Sequence, residues 1–270
     1  MPPADGGAAH EPEPAARTVF GFHYETVIGL TALAIVWQFV SLFVPHFLFP
    51  SIPEIATRLV SIFTSWKLIG DALATSARIL AGLGGAFVLG TLLALPMARS
   101  PTFERYAYPL LNLNQGIPAL SWVVIAIIWF RGIEFRIFFI MVMTTLPAFT
   151  FQVLDAYRAM SKDLFEMTLA FRPTRRDLFR TLIWPTVLPG ILTAWKVNLG
   201  NAARVVVVAE LVGATGGVGY ELLEQQQLFD MAGAMAWTLV LVIFVLVVQG
   251  CISLIENHVL RYRAFAEHAL

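Results

Sequence analysis

From Thr26 onward, long apolar runs alternate with short polar connections. The first run, residues 26–44, is about 19 residues long, which at roughly 1.5 Å per residue spans a hydrocarbon core of roughly 30 Å. Pro45 and Pro50 then break the chain. Over residues 51–66, Ile52, Ile55, Leu59, Ile62 and Phe63 recur at helix spacing, with Glu54, Arg58 and Lys67 on other faces, which predicts a short interfacial helix. Further apolar runs cover residues 72–97, 106–130, 135–157, 189–212 and 231–255. The pattern predicts an all-α integral membrane protein with six transmembrane helices.

Small residues and breakers refine these spans. Gly82, Gly84, Gly85 and Gly90 let the second span approach a neighbour closely. Gly116-Ile117-Pro118 interrupts the third span, a break tolerated at membrane depth only where backbone is buried in protein or lines a cavity. Pro147 lies inside the fourth span, and the glycine-rich linker 213–230 is expected to turn sharply or re-enter the membrane. Residues 1–18, rich in Pro, Ala, Gly and Glu, read as a disordered tail unlike a secretory signal peptide. The predicted layout is that tail, a first span plus interfacial helix over 19–70, a core domain over 71–262 and a C-terminal tail over 263–270.

Composition agrees with the pattern: 58% of the 270 residues are hydrophobic and 13% charged, with a mean hydropathy of +0.73. Soluble domains carry about 25% charged residues. The formal net charge of +0 gives no reason to expect a nucleic-acid partner. Cys251 is the only cysteine, so an internal disulfide is excluded; it reads as a small packing residue in the last span. His10, His23, His46, His258 and His268 are scattered, and no metal-ligand spacing occurs.

Basic residues give the orientation. With six spans, one side of the membrane holds Arg17, Arg99, Arg105, Arg158, Lys162, Arg172, Arg175, Arg176, Arg180, Arg261 and Arg263. The other side holds Arg58, Lys67, Arg131 and Arg136. The excess puts both termini in the cytoplasm, together with the polar loop 158–181.

That loop has a regular pattern. Glu166-Met167-Thr168, then Arg172, Leu182, Trp184 and Pro185, stand at the spacing of Glu-Ala-Ala, three residues, Gly, nine residues, Ile, one residue, Leu-Pro. It resembles the cytoplasmic EAA loop of ABC importer permeases, with Glu166 and Pro185 in register. More widely, residues 49–263 resemble nitrate/sulfonate/bicarbonate-type (taurine-like) permeases through Phe49-Pro50-Ser51-Ile52-Pro53-Glu54, Ser76-Ala77-Arg78-Ile79-Leu80-Ala81-Gly82, Ile117-Pro118-Ala119, Ile128-Trp129-Phe130, Val208-Ala209-Glu210-Leu211-Val212-Gly213 and Gly217-Val218-Gly219-Tyr220.

The resemblance implies a type I ABC importer (MetI-like) permease fold in a bacterial inner membrane. It also implies a second permease subunit (a homodimer), a cytoplasmic ABC ATPase dimer and a periplasmic or lipid-anchored substrate-binding protein. ATP and magnesium would be bound by the ATPase, since this chain has no Gly-x-x-x-x-Gly-Lys-Ser/Thr loop, and no cofactor is expected here. Within loop 158–185 the coupling residues are expected to be Asp163, Glu166, Thr168, Arg172, Pro173, Arg175 and Pro185, with a coupling helix near 163–173 and Glu166 capping or pairing inside it. Arg172-Pro173 replaces the family's glycine, and φ > 0 is cheap only for glycine. Either the docking geometry differs or the ATPase presents an acidic surface. The other reading of the loop is a basic anchor on anionic membrane lipid.

Four charges fall within or near spans: Arg78, Lys196, Arg204 and Glu210. They are candidates for ion pairs or solute contacts, with an interfacial anchor also open for Arg78. Asn112, Asn114 and Gln115, with Trp122 and Trp129, are candidates for the translocation path, or else for interhelical hydrogen bonds and packing. A cationic path suits small anions such as sulfonate, nitrate or bicarbonate, while the resemblance also extends to permeases associated with neutral or aromatic vitamin precursors, so the substrate stays open. The rival reading is an autonomous secondary transporter or channel, but no internal repeat supports it. No catalytic constellation supports an enzyme.

Overall fold

The computed structural model describes residues 18–19 and 22–259. The predicted tails, with Arg17, Arg261, Arg263, His10 and His268, lie outside the described residues apart from Thr18. Strands β1 (Thr18–Val19) and β2 (Phe22–His23) pair antiparallel ahead of eleven helices. These are α1 (Tyr24–Ser41), α2 (Ile52–Thr64), α3 (Trp66–Arg99), α4 (Pro101–Gly116), α5 (Ala119–Trp129), α6 (Ile133–Arg158), α7 (Lys162–Ala170), α8 (Arg175–Leu178), α9 (Trp184–Leu211), α10 (Val218–Gln227) and α11 (Met231–Val259).

The predicted runs reappear as helices, but their junctions differ. The interfacial helix α2 starts where Glu54 Oε2 accepts the Ser51 N–H at 3.1 Å, and only Ser65 separates it from α3. The third run splits at the predicted Gly116–Pro118 break into α4 and α5, which meet at 95°. Residues 213–230 contain α10 rather than loop alone. Among the described residues α3, α6 and α11 are long and apolar enough to cross a membrane, and the bent α4–α5 pair makes a fourth if it is one span. Length and hydropathy alone therefore stop short of six. α1 counts as a shorter apolar helix, and in α9 Lys196, Asn198, Asn201, Arg204 and Glu210 dilute the apolar residues.

The core lies between α3, α6 and α9, where Ile79, Leu83, Met141, Phe149, Leu199 and Val206 are almost wholly buried. Glycines set the α3–α6 spacing. A Cβ on Gly82 would stand 2.5 Å from Met141 Cβ, and one on Gly85 would stand 2.6 Å from the Phe138 ring. Gly190 gives α9 the same close approach to Ala156 of α6. In contrast α1 is exposed almost all round and is tied to the α2 side by Trp37, whose ring stacks on Phe49 at 4.2 Å and whose Nε1 donates to Pro50 O. Cys251 is exposed on α11 rather than part of the packed interior.

Gly82→Val is expected to destabilise the protein by about 1–3 kcal/mol through overpacking. Gly84→Ala, with open space around it, is expected to leave the melting temperature unchanged or slightly higher; thermal melting in detergent compares the two.

Candidate functional site

A polar cluster closes one end of the bundle. Helix spacing puts Asp71, Thr75 and Arg78 on one face of α3, opposite the last turn of α9 and the first turns of α6 and α10. Glu210 at that α9 end is 1% exposed. Its carboxylate accepts from Thr75 Oγ1 at 2.8 and 2.9 Å, from Arg78 Nη1 at 2.7 Å and from the Gly219 N–H at 2.8 Å. Thr75 Oγ1 in turn accepts the Val218 N–H, and Asp71 Oδ1 accepts the Gly217 N–H. Arg78 also grips Glu134 of α6, through Nε at 2.9 Å and Nη2 at 2.6 Å, and donates to Gly216 O at 2.8 Å.

The turn before α10 needs its glycines. Gly217 has φ +116°, and a Cβ there would stand 2.6 Å from Glu210 Oε1 and 2.7 Å from Arg78 Nη1. A buried charge is tolerable only when paired and hydrogen-bonded, and Glu210 meets both conditions. Arg78 is thus an ion-pair residue, not an anchor at a span end. Its donors are engaged by two carboxylates and a carbonyl, which leaves little for a solute.

Of the other predicted intramembrane charges, Lys196 pairs with Glu256 of α11. Arg204 is exposed, and its Nε donates to Gly200 O at 3.1 Å. Sequence reading missed Asp71, Thr75 and Glu134; the signal was a polar stripe at i, i+4, i+7 in an apolar run.

The loop lies at the opposite end of the bundle, where Arg158 of α6 pairs with Glu104 of α4. Ser161 caps α7 by accepting the Leu164 N–H, and Asp163 sits in the favourable first turn. Glu166 is exposed in mid-helix, and Ser161 rather than Glu166 caps α7. Leu164, Met167 and Phe171, spaced i, i+3, i+7, are 50%, 56% and 81% exposed and form one apolar stripe. Thr168 hydrogen-bonds back to Leu164 O.

α7 ends in a left-handed residue, and that residue is Arg172 with φ +50°. Its N–H donates to Leu169 O at 2.9 Å. The second bond of a Schellman end cannot form because Pro173 has no N–H. The glycine-type turn is therefore kept, at a steric cost glycine would avoid. Thr174 then caps α8. Arg175 and Arg176 occupy the first turn of α8, where the helix dipole disfavours cations. A π-helical turn, Phe179–Ile183, leads into α9, with half-buried Pro185 in its first turn.

The path candidates separate. Asn112, Gln115 and Trp129 are exposed, and Trp129 leans on Phe130 and Phe139. Trp122 is buried against Phe139, with no acceptor for its Nε1. Asn114 has a structural role: its Nδ2 donates to Met143 O at 2.9 Å. Met143 lies four residues before Pro147, so its carbonyl has lost its helical donor. The amide pair of buried Asn198 with half-buried Gln152, at 2.6 Å between α9 and α6, was not anticipated.

The family described as binding-protein-dependent transport system inner membrane component matches residues 86–261. Formylaminopyrimidine transport permease protein ThiX of Halalkalibacterium halodurans is 28% identical over 240 residues, which cover 88% of this chain and 96% of ThiX. Taurine transport system permease protein TauC of Escherichia coli is 26% identical over 199 residues, covering 71% of this chain and 72% of TauC. A chain of the MetNI methionine ABC transporter in an inward-facing conformation superposes with a TM-score of 0.64 at 21% identity, over 72% of this chain and 96% of that one, which establishes likeness of fold.

Two predictions follow from the loop and the α4–α6 contact. Asn114→Ala is expected to cost about 1–2 kcal/mol in the native protein and much less in a Pro147→Ala background, where Met143 O regains its helical partner; a double-mutant cycle measures the difference. Arg172→Gly is expected to relieve about 1 kcal/mol of backbone strain and slow amide hydrogen exchange in α7 about fivefold.

Proposed function

This chain belongs to the binding-protein-dependent transport system inner membrane components, the permease subunits of ABC importers, and we propose that it forms half of a translocation path for a small organic anion, driven by a cytoplasmic ATPase seated on loop 158–185. The observation that carries this reading is α7. It is a short capped helix held between α6 and α9, with Leu164, Met167 and Phe171 facing outward and unused by the subunit. Such a stripe fits an apolar groove on another protein. Exposed Arg172, Arg175, Arg176 and Arg180 flank it and make no ion pair with any described carboxylate, so the rim of that groove is acidic.

The basic-residue count supports a cytoplasmic position for this end and for both termini. Counting α1, α3, α4–α5, α6, α9 and α11 as spans gives six. A second copy covers the open side of α5, where Val124, Ile128 and Trp129 are 52%, 76% and 63% exposed. A periplasmic or lipid-anchored binding protein delivers solute to the end closed by Glu210. An anionic solute is supported by the basic residues of that end, Arg131 and Arg136, and by the likeness to a taurine permease.

Purification of the chain with the products of neighbouring genes is expected to yield a stable complex with an ATPase. Met167→Glu should weaken that association several-fold while leaving the protein in the membrane, and the native complex should loosen as salt rises. Solute transport by this chain alone in liposomes would overturn the proposal.

A further inference from the structure

Phe229 stands where a glycine is usual. It follows the last turn of α10, where its own N–H donates to Gln226 O at 3.1 Å and the Asp230 N–H donates to Gln225 O at 2.9 Å. These are the two bonds of a Schellman end, whose closing residue is left-handed and most often glycine. Phe229 takes that conformation with φ +56°, at a steric cost glycine would avoid. Its ring adds little packing in return, since Phe229 is 78% exposed, and Leu228 beside it is exposed as well.

The turn is held on both sides. Asp230 Oδ1 accepts the Gly233 N–H at 3.0 Å at the start of α11, and Oδ2 pairs with Arg58 of α2 at 2.7 Å. Phe229 and Leu228 line a cleft of about 650 Å³ together with Phe47 from the connection between α1 and α2. On the α2 side the cleft is lined by Thr57, Arg58 and Ser61. Thr57 and Ser61 spend their hydroxyl protons on Pro53 O and Arg58 O, which leaves their oxygens as acceptors.

An exposed aromatic on a strained but fixed backbone suits a protein-docking anchor, because little freedom is lost when a partner covers it. Anchoring in a membrane surface needs neither strain nor a fixed turn. Trp66, which begins α3, is 88% exposed on ordinary helical backbone.

We infer that the α10–α11 turn and the α1–α2 connection form the docking cleft for the binding protein, with an apolar-tipped loop of that protein gripped between Phe229 and Phe47. Backbone N–H groups of the loop would meet the hydroxyl oxygens of Thr57 and Ser61. The cleft belongs to the Glu210 end of the bundle, because α10 starts against Glu210 and α2 runs into the start of α3. The family is binding-protein-dependent by its description, and the inference rests on the permease reading for the identity of the partner.

The test uses the full-length chain in nanodiscs, with whatever neighbouring gene products copurify, and the purified binding protein encoded beside it. Phe229→Gly is expected to weaken docking about tenfold while melting no lower than the native chain, since glycine suits the turn. Phe47→Ser should weaken docking as well, and Trp66→Ser should leave it unchanged. A fluorophore on Phe229→Cys, in a Cys251→Ser background, should be shielded by the binding protein and escape quenching by nitroxide-labelled lipid. Quenching by the lipid, with no effect of the binding protein, assigns the turn to the membrane surface and overturns the inference. Equal docking by native and Phe229→Gly chains overturns it too, and leaves the permease reading intact. Absence of docking by the native chain overturns delivery by a binding protein, and this inference with it.

Discussion

A carboxylate removed from water must find charge and donors inside the protein, and the way Glu210 does so organises one whole end of this bundle. Thr75 and Arg78 come from α3 and the Gly219 N–H from the start of α10, while Glu134 of α6 joins through Arg78. Four helices therefore share one hydrogen-bonded unit, and the connection 212–217 must follow a path narrow enough to need glycine at 217. Removing one member would strand a charge in a low-dielectric setting, so the unit behaves as a whole.

The two ends of the molecule are built on opposite principles. At the Glu210 end Asp71, Thr75, Arg78, Glu134 and Glu210 satisfy one another and the turn, and glycine supplies the unusual backbone. At the loop end, polar and apolar groups alike face outward, and a non-glycine residue, Arg172, holds the left-handed position. Local rules are broken twice within a few residues there, by the conformation of Arg172 and by Arg175 and Arg176 at a helix start. Neither feature is compensated inside the subunit. This asymmetry suits a part whose one end closes from within and whose other end is completed by a partner.

Much of this was legible in the sequence because apolar periodicity and breakers act locally. The runs became α1, α3, α6, α9 and α11, and Gly116–Pro118 marked the sharpest bend. What was not legible depends on distant pairing. Arg78 and Glu210 stood out as charges in apolar runs, but nothing local says that they meet, or that Thr75 and Glu134 join them. For Asn114 both a path-lining role and an interhelical hydrogen bond stood open, because the carbonyl it serves is freed by a proline on another helix. Arg172 is a residue for which a left-handed turn is costly, yet it holds that turn with its N–H on Leu169 O.

The glycine seam between α3 and α6 has a mechanical consequence. Where Gly82 meets Met141 and Gly85 meets Phe138, backbone rather than a flexible side chain forms one surface, so the two helices have little slack in which to shear. The two helices therefore shift together rather than past each other. α6 has 26 residues and is about 39 Å long, and its two ends hold Glu134, bound to the fork of Arg78, and Arg158, paired with Glu104. The helix that anchors the buried carboxylate cluster is thus the same one that leads into the loop.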